Sequence, residues 1–134
     1  MSRSVPYHAP SRGFAKNYTA GVKDPGERYK MITEWINRSI GYDYIKAAQV
    51  AKKRGILPDP AGCWHKRLGI CQDIAALAVN MLTAAGINAV MCVGHADRQY
   101  HAWVEVRIGG KIIRYDRCGT AKQYVRERSY GLLK

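Results

Sequence analysis

No two cysteines in this 134-residue chain form a CxxC pair, and Cys63, Cys71, Cys92 and Cys118 are spaced too widely for a zinc ribbon. They need not be disulfides either, because a chain of this length buries enough surface to fold without covalent staples. No apolar run of signal-peptide length occurs in the N-terminal MSRSVPYHAPSRGF, so the chain is expected to be cytoplasmic, or secreted after loss of a leader. Acidic residues are scarce, 10 against 22 Lys and Arg, which leaves a net charge of +12. That excess would attract any polyanion. It is spread along the chain, however, with 13 basic and 5 acidic residues through Arg67 and 9 and 5 beyond. An arginine-rich helix and an aromatic RNA-binding signature are both lacking, so no specific nucleic-acid partner is expected and the charge reads as a solvated surface. Repeats and low-complexity tracts are absent too, which excludes solenoid and fibrous architectures.

What is present is the composition of one globular domain, 47% hydrophobic and 24% charged. Residues 1–23 are polar and hold Pro6, Pro10, Gly13 and Gly21, and they read as an extended arm before a domain spanning 24–134. A helix is predicted from Asp24: Asp24, Pro25 and Glu27 suit its N-cap, N1 and N3 positions, Tyr29, Ile32, Trp35 and Ile36 form one apolar face, and Gly41 ends it. A weaker helix is predicted from Asp43 to Arg54, closed by Gly55. From Ile74 to Ala96 no charged residue occurs in 23 positions, long enough to cross a bilayer. Asn80, Thr83, Gly86 and Asn88 interrupt it, and the apolar period changes at Gly86 from helical to strand-like. We therefore read a buried helix followed by a buried strand, not a membrane span.

Beyond it, Tyr100 to Arg107 and Lys111 to Asp116 alternate around Gly109-Gly110, the signature of a two-residue hairpin turn. In that register residue 108 faces 111, Trp103 lies opposite Asp116, and His101 is the diagonal neighbour of Asp116 on the same face. Diagonal partners are close enough for a carboxylate to hold an imidazole N–H. Cys71 falls at the start of the buried helix, where amide groups and the positive dipole end favour thiolate and can bind an oxyanion. A thiol nucleophile, a histidine base and a carboxylate orienter are the three parts of a cysteine-dependent acyl-transfer site. On their own, Cys71 suits a small core residue, His101 a core or surface histidine and Asp116 a strand-end carboxylate. Their convergence favours catalytic Cys71, His101 and Asp116.

GICQDIAALAVNMLTAAGINAV followed by HAWVEVRIGGKIIRYD resembles the core of the transglutaminase-like superfamily, across residues 69–116. Tyr42-Asp43 and the Trp35 helix give looser support upstream. The resemblance implies an α+β, papain-like core with the cysteine-bearing helix packed on a small antiparallel sheet, the same three catalytic residues, and neither metal nor organic cofactor. It departs from the family where Arg117 and Cys118 replace the usual Pro and Thr, and a looser strand end with no strands after it is expected. By the register, Cys118 would also approach His101. Trp35, Tyr42 and Trp64 are candidates to complete an oxyanion hole, and Trp103 to line a cleft. Cys63, His65, Cys71, His95, His101 and Cys118 offer zinc-type donors, but only Cys63 and His65 lie close in sequence, too tight for a knuckle. The expected partner is a peptide or protein amide, hydrolysed or transferred to an amine. The rival is a non-catalytic module whose basic surface recognises a peptide or polyanion. Oligomeric state has no signature in the sequence.

Overall fold

The structure is a computed structural model that describes residues 4–51, 56–119 and 121–133. Helix α1 spans Ala9–Tyr18, with Pro10 in its first turn and the His8 side chain as its cap, accepting from the Ser11 N–H. This corrects the reading of 1–23 as an extended arm: histidine is an unusual N-cap, so the local signal was weak. The start of the chain is also stitched to the body by Asn80. The Asn80 side chain accepts the His8 N–H at 2.8 Å and donates to the Pro6 carbonyl at 2.9 Å. A polar residue that interrupts the apolar stretch in sequence is thus fully buried and satisfied.

Helix α2, Pro25–Ser39, begins as expected, with the Asp24 carboxylate accepting the Glu27 N–H. Its buried face carries Ile32 and Ile36. Strand β1 (Gly41–Tyr42) leads into α3 (Tyr44–Val50), which Asp43 caps. The predicted extension of α3 to Arg54 and Gly55 lies outside the described residues. Helix α4 (Pro60–Lys66) and strand β2 (Leu68–Gly69) follow, β2 pairing in parallel with β1. Helix α5, Cys71–Ala84, then runs through the interior, and Gly86 turns the chain at φ 82° into β3, Asn88–Ala96. The uncharged stretch is therefore a buried helix and a buried strand. Among the described residues no helix is long and apolar enough to cross a membrane.

Strands β4 (Gln99–Ile108) and β5 (Lys111–Tyr115) form the expected hairpin, with Ile108 facing Lys111 across Gly109 and Gly110. Both glycines have positive φ, as a two-residue turn of this kind requires. A further strand, β6 (Tyr124–Tyr130), pairs with β3 and sets the antiparallel order β5-β4-β3-β6. The expectation of no later strand is thereby corrected. The sequence YVRERSY is charged and mostly exposed, the character of a protected sheet edge rather than an alternating strand. Gly94 makes this pairing close, since a Cβ there would collide with the Val125 carbonyl. One sheet face packs Ala102, Val104 and Val106 against Leu77, Ala78 and Met81 of α5, giving the α+β architecture with the cysteine helix on a small antiparallel sheet.

Val104 is 1% exposed. A carboxylate there would be buried without a partner, so Val104→Asp is expected to cost about 4 kcal/mol or more and to abolish a cooperative melt. Ile112→Asp, on an exposed position of β5, should leave the melting temperature nearly unchanged. Thermal unfolding followed by circular dichroism checks the pair.

Candidate active site

The tip of α5 is built around Asp73, a carboxylate 1% exposed. It accepts the Ile70 N–H at 3.1 Å and the Asp59 N–H at 2.8 Å, and pairs with the Lys46 ammonium at 2.7 Å. Three donors on one buried carboxylate satisfy its charge and clamp the chain just before Cys71. Cys71 is the first residue of α5 and is half-buried. Beside it the Gln72 side chain donates to the Ile56 carbonyl at 3.1 Å, fixing the preceding loop.

Strand β4 carries His101 to the same place, and its Nε2 lies 2.8 Å from Asp116 Oδ2. Asp116 sits just past β5, at the diagonal position that the hairpin register implies. Burial opposes charge on His101, but the bond to Asp116 and the adjacent Cys71 sulfur outweigh it and raise its pKa from 6.5 to about 10. Burial likewise works against charge on Asp116, and is outweighed by hydrogen bonds from His101 and Tyr124, so its pKa is lowered. The pair is a carboxylate bound to an imidazolium.

Asp116 is held from several sides. The Tyr124 hydroxyl of β6 donates to Oδ2 at 2.7 Å, and the Cys118 N–H donates to Oδ1 at 3.1 Å. The flanking residues are tied to α2 and its end: the Tyr115 hydroxyl donates to Asn37 at 2.7 Å and Arg117 to the Ile40 carbonyl at 2.9 Å. These contacts correct the expectation of a loose strand end, because Arg117 and Cys118 both brace it. Gly119 belongs to the same packing, for a Cβ there would collide with Asp116 Oδ2. Tyr124 escaped the sequence reading along with its strand, and Asp73 and Lys46 carried no chemical motif. The only available signal was Asp73 at the N3 position of a helix.

The other candidates are distributed unevenly. Trp103 is 2% exposed, stacks on His101 at 6.3 Å and meets the Tyr124 ring edge-on at 5.1 Å, so it backs the imidazole. Tyr42 lies near Cys71, and burial, with the neighbouring Cys71 adding to it, raises the phenol pKa to about 12, which keeps it a hydrogen-bond donor. Trp35 and Trp64 are elsewhere, stacked on each other at 5.5 Å among Phe14 and Arg67, and line neither cavity that Cys71 borders. Cys118 borders a small cavity together with His101 and also lies near Cys71, and burial pushes its thiol up to about 12. Cys63 and Cys92 are buried thiols raised to about 12 for the same reason. His95 faces Glu127 at 3.1 Å and His65 lies against His8, so the zinc-type donors do not converge. Among the described residues no three His, Cys, Asp or Glu are placed to share a metal ion.

Helix tip, histidine strand and carboxylate define an α+β fold that brings a thiol, an imidazole and a carboxylate together where a helix end meets an antiparallel sheet. Residues 12–117 match the model of the transglutaminase-like superfamily, and the chain belongs to that family. Similar solved structures include a candidate cysteine protease from Cytophaga hutchinsonii, at TM-score 0.66 and 22% identity over 84% of this chain and 38% of that one. A candidate protease from Parabacteroides distasonis matches at TM-score 0.63 and 22% identity, over 84% of this chain and 26% of its own. A structure named as a TGase matches at TM-score 0.67 and 17% identity, over 90% of this chain and 34% of its own. The chain thus spans between about a quarter and two fifths of the length of these structures. No curated protein matches it.

The ion pair makes stability depend on pH in a definite sense. A raised histidine pKa contributes stability that is complete below 6.5 and lost as pH rises through about 10. A lowered carboxylate pKa contributes stability present above 3.8 and lost as pH falls through its folded value. The advantage of the parent over Asp116→Asn, measured by urea unfolding, should therefore peak between about pH 4 and 6.5 and shrink toward pH 10. Tyr124→Phe removes one donor that lowers the Asp116 pKa, so the height of that plateau should shrink and the acid loss should be complete at higher pH.

Proposed function

We propose that this chain is a cysteine-dependent acyltransferase or hydrolase acting on peptide or protein amides, with Cys71, His101 and Asp116 as its catalytic residues. The observation that carries this reading is the placement of Cys71 at the tip of α5, beside an imidazole bonded to a buried carboxylate. In this mechanism the Cys71 thiolate attacks the carbonyl carbon, the S–C bond forms and the carbonyl electron pair moves to oxygen. Amides of the first helical turn and the Tyr42 hydroxyl stabilise that oxyanion. The tetrahedral species collapses, the C–N bond breaks and His101 gives its proton to the departing amine, leaving a thioester on Cys71. Water or a primary amine then attacks the thioester, His101 takes its proton, and the thiolate leaves. Hydrolysis follows in the first case and transamidation in the second. Asp116 keeps the imidazole oriented and stabilises its charged form throughout.

Iodoacetamide at neutral pH is the direct test of the nucleophile. Cys71 should be labelled well ahead of Cys63, Cys92 and Cys118, whose burial holds them as thiols. Asp116→Asn should retain the fold yet lose the fast labelling of Cys71 at low pH. Peptide mapping that finds Cys71 inert, or equally reactive in Asp116→Asn, would reject the assignment.

Tyr42→Phe probes the oxyanion role separately. Loss of that donor should lower kcat by about 100-fold with little change in KM or melting temperature, as measured on any amide the enzyme turns over.

A further inference from the structure

Cys71 and His101 line a cavity of about 420 Å³, within the range of small-molecule and side-chain binding pockets. Its walls are Ile56, Leu57 and Pro58 from the loop before α4, and Met91, Val93 and Ala102 from β3 and β4. Among the described residues that line it, Cys71 and His101 are the ionisable groups at the reacting end, the other polar side chains are the hydroxyls of Ser4, Tyr100 and Tyr130 and the Gln72 amide, which the Ile56 carbonyl engages, and the rest of the lining is aliphatic. Two further residues point the same way. Leu57 is 65% exposed and Tyr100 68% exposed, although both border this cavity. Large apolar side chains left unburied by the fold and gathered at the mouth of a reactive cleft mark a surface for a ligand.

We infer that this cleft selects acyl donors bearing a branched aliphatic or aromatic side chain next to the attacked carbonyl. The inference rests on the acyl-transfer reading above and adds a substrate class to it. An apolar side chain would displace water from Leu57, Val93 and Met91 and cover exposed carbon surface. A carboxylate or carboxamide would lose its hydration against the aliphatic side, where Leu57, Val93 and Met91 offer it no hydrogen-bond partner. Leu57 and Tyr100 are the specificity-determining residues in this scheme, since they add contact area without supporting the core.

Peptidyl chloromethyl ketones differing only in the residue beside the reacting carbonyl test this, because each transfers its carbon to the Cys71 sulfur with loss of chloride and needs no turnover. Labels carrying Leu or Phe should inactivate Cys71 at least about tenfold faster than those carrying Gln or Asp, judged by kinact/KI. Leu57→Asp should reduce that ratio toward one, each label's rate being taken relative to the same variant's iodoacetamide rate, while leaving the melting temperature unchanged. Tyr100→Ala, on an exposed strand position, provides a second variant if Leu57→Asp melts early. Equal rates for all labels, faster reaction with Gln or Asp, or a preference unaltered in both variants would overturn the inference while the acyl-transfer reading stands. Failure of iodoacetamide itself to modify Cys71 would remove both together.

Discussion

The His101–Asp116 bond exists in only one register of the β4–β5 hairpin. A shift of one residue would part His101 from Asp116 and bring Val104 out of the core, so the apolar face and the ion pair are fixed by the same pairing. The turn at Gly109 and Gly110 sets that register locally, and the packing of Ala102, Val104 and Val106 against α5 enforces it globally. Charge at the site is therefore held by hydrophobic packing on the opposite side of the same strand.

The thiol side of the site uses a different device. Cys71 is delivered by a helix whose first turn is closed by the buried Asp73 carboxylate, with Lys46 supplying the compensating charge. Losing Lys46 alone would leave Asp73 buried without its ion partner, a larger disturbance than the pair's own modest net contribution. The two halves meet because α5 packs on β3 and β4 while its tip reaches the end of β4 that carries His101. Trp103 and Tyr124 then fill the far side of the imidazole, so the ring is held by stacking as well as by Asp116.

Much of this was legible in the residues. The capping box at Asp24, the change of period at Gly86 and the glycine turn each combine a short-range rule with a periodic pattern, and each gave an element close to its observed bounds. The juxtaposition of His101 and Asp116 followed from the turn by counting. The features that escaped depend on distant partners. Helix α1 begins at a histidine cap and is secured by Asn80, more than sixty positions away in sequence. Strand β6 is an edge whose charged side chains hide its period, and with it went Tyr124. Trp35 and Trp64 suited an oxyanion role by composition, but the shape of the fold draws them into an aromatic cluster with Phe14.

The central claim is a covalent acyl-enzyme on one particular sulfur. Incubating the protein with a peptide library, quenching in acid and mapping cysteine adducts by mass spectrometry tests it most directly. An acyl mass on Cys71 that neutral hydroxylamine removes, and that is absent in the His101→Ala variant, is the result this account predicts. Acyl adducts on Cys63, Cys92 or Cys118 with none on Cys71 would contradict it, as would a Cys71 adduct that resists hydroxylamine.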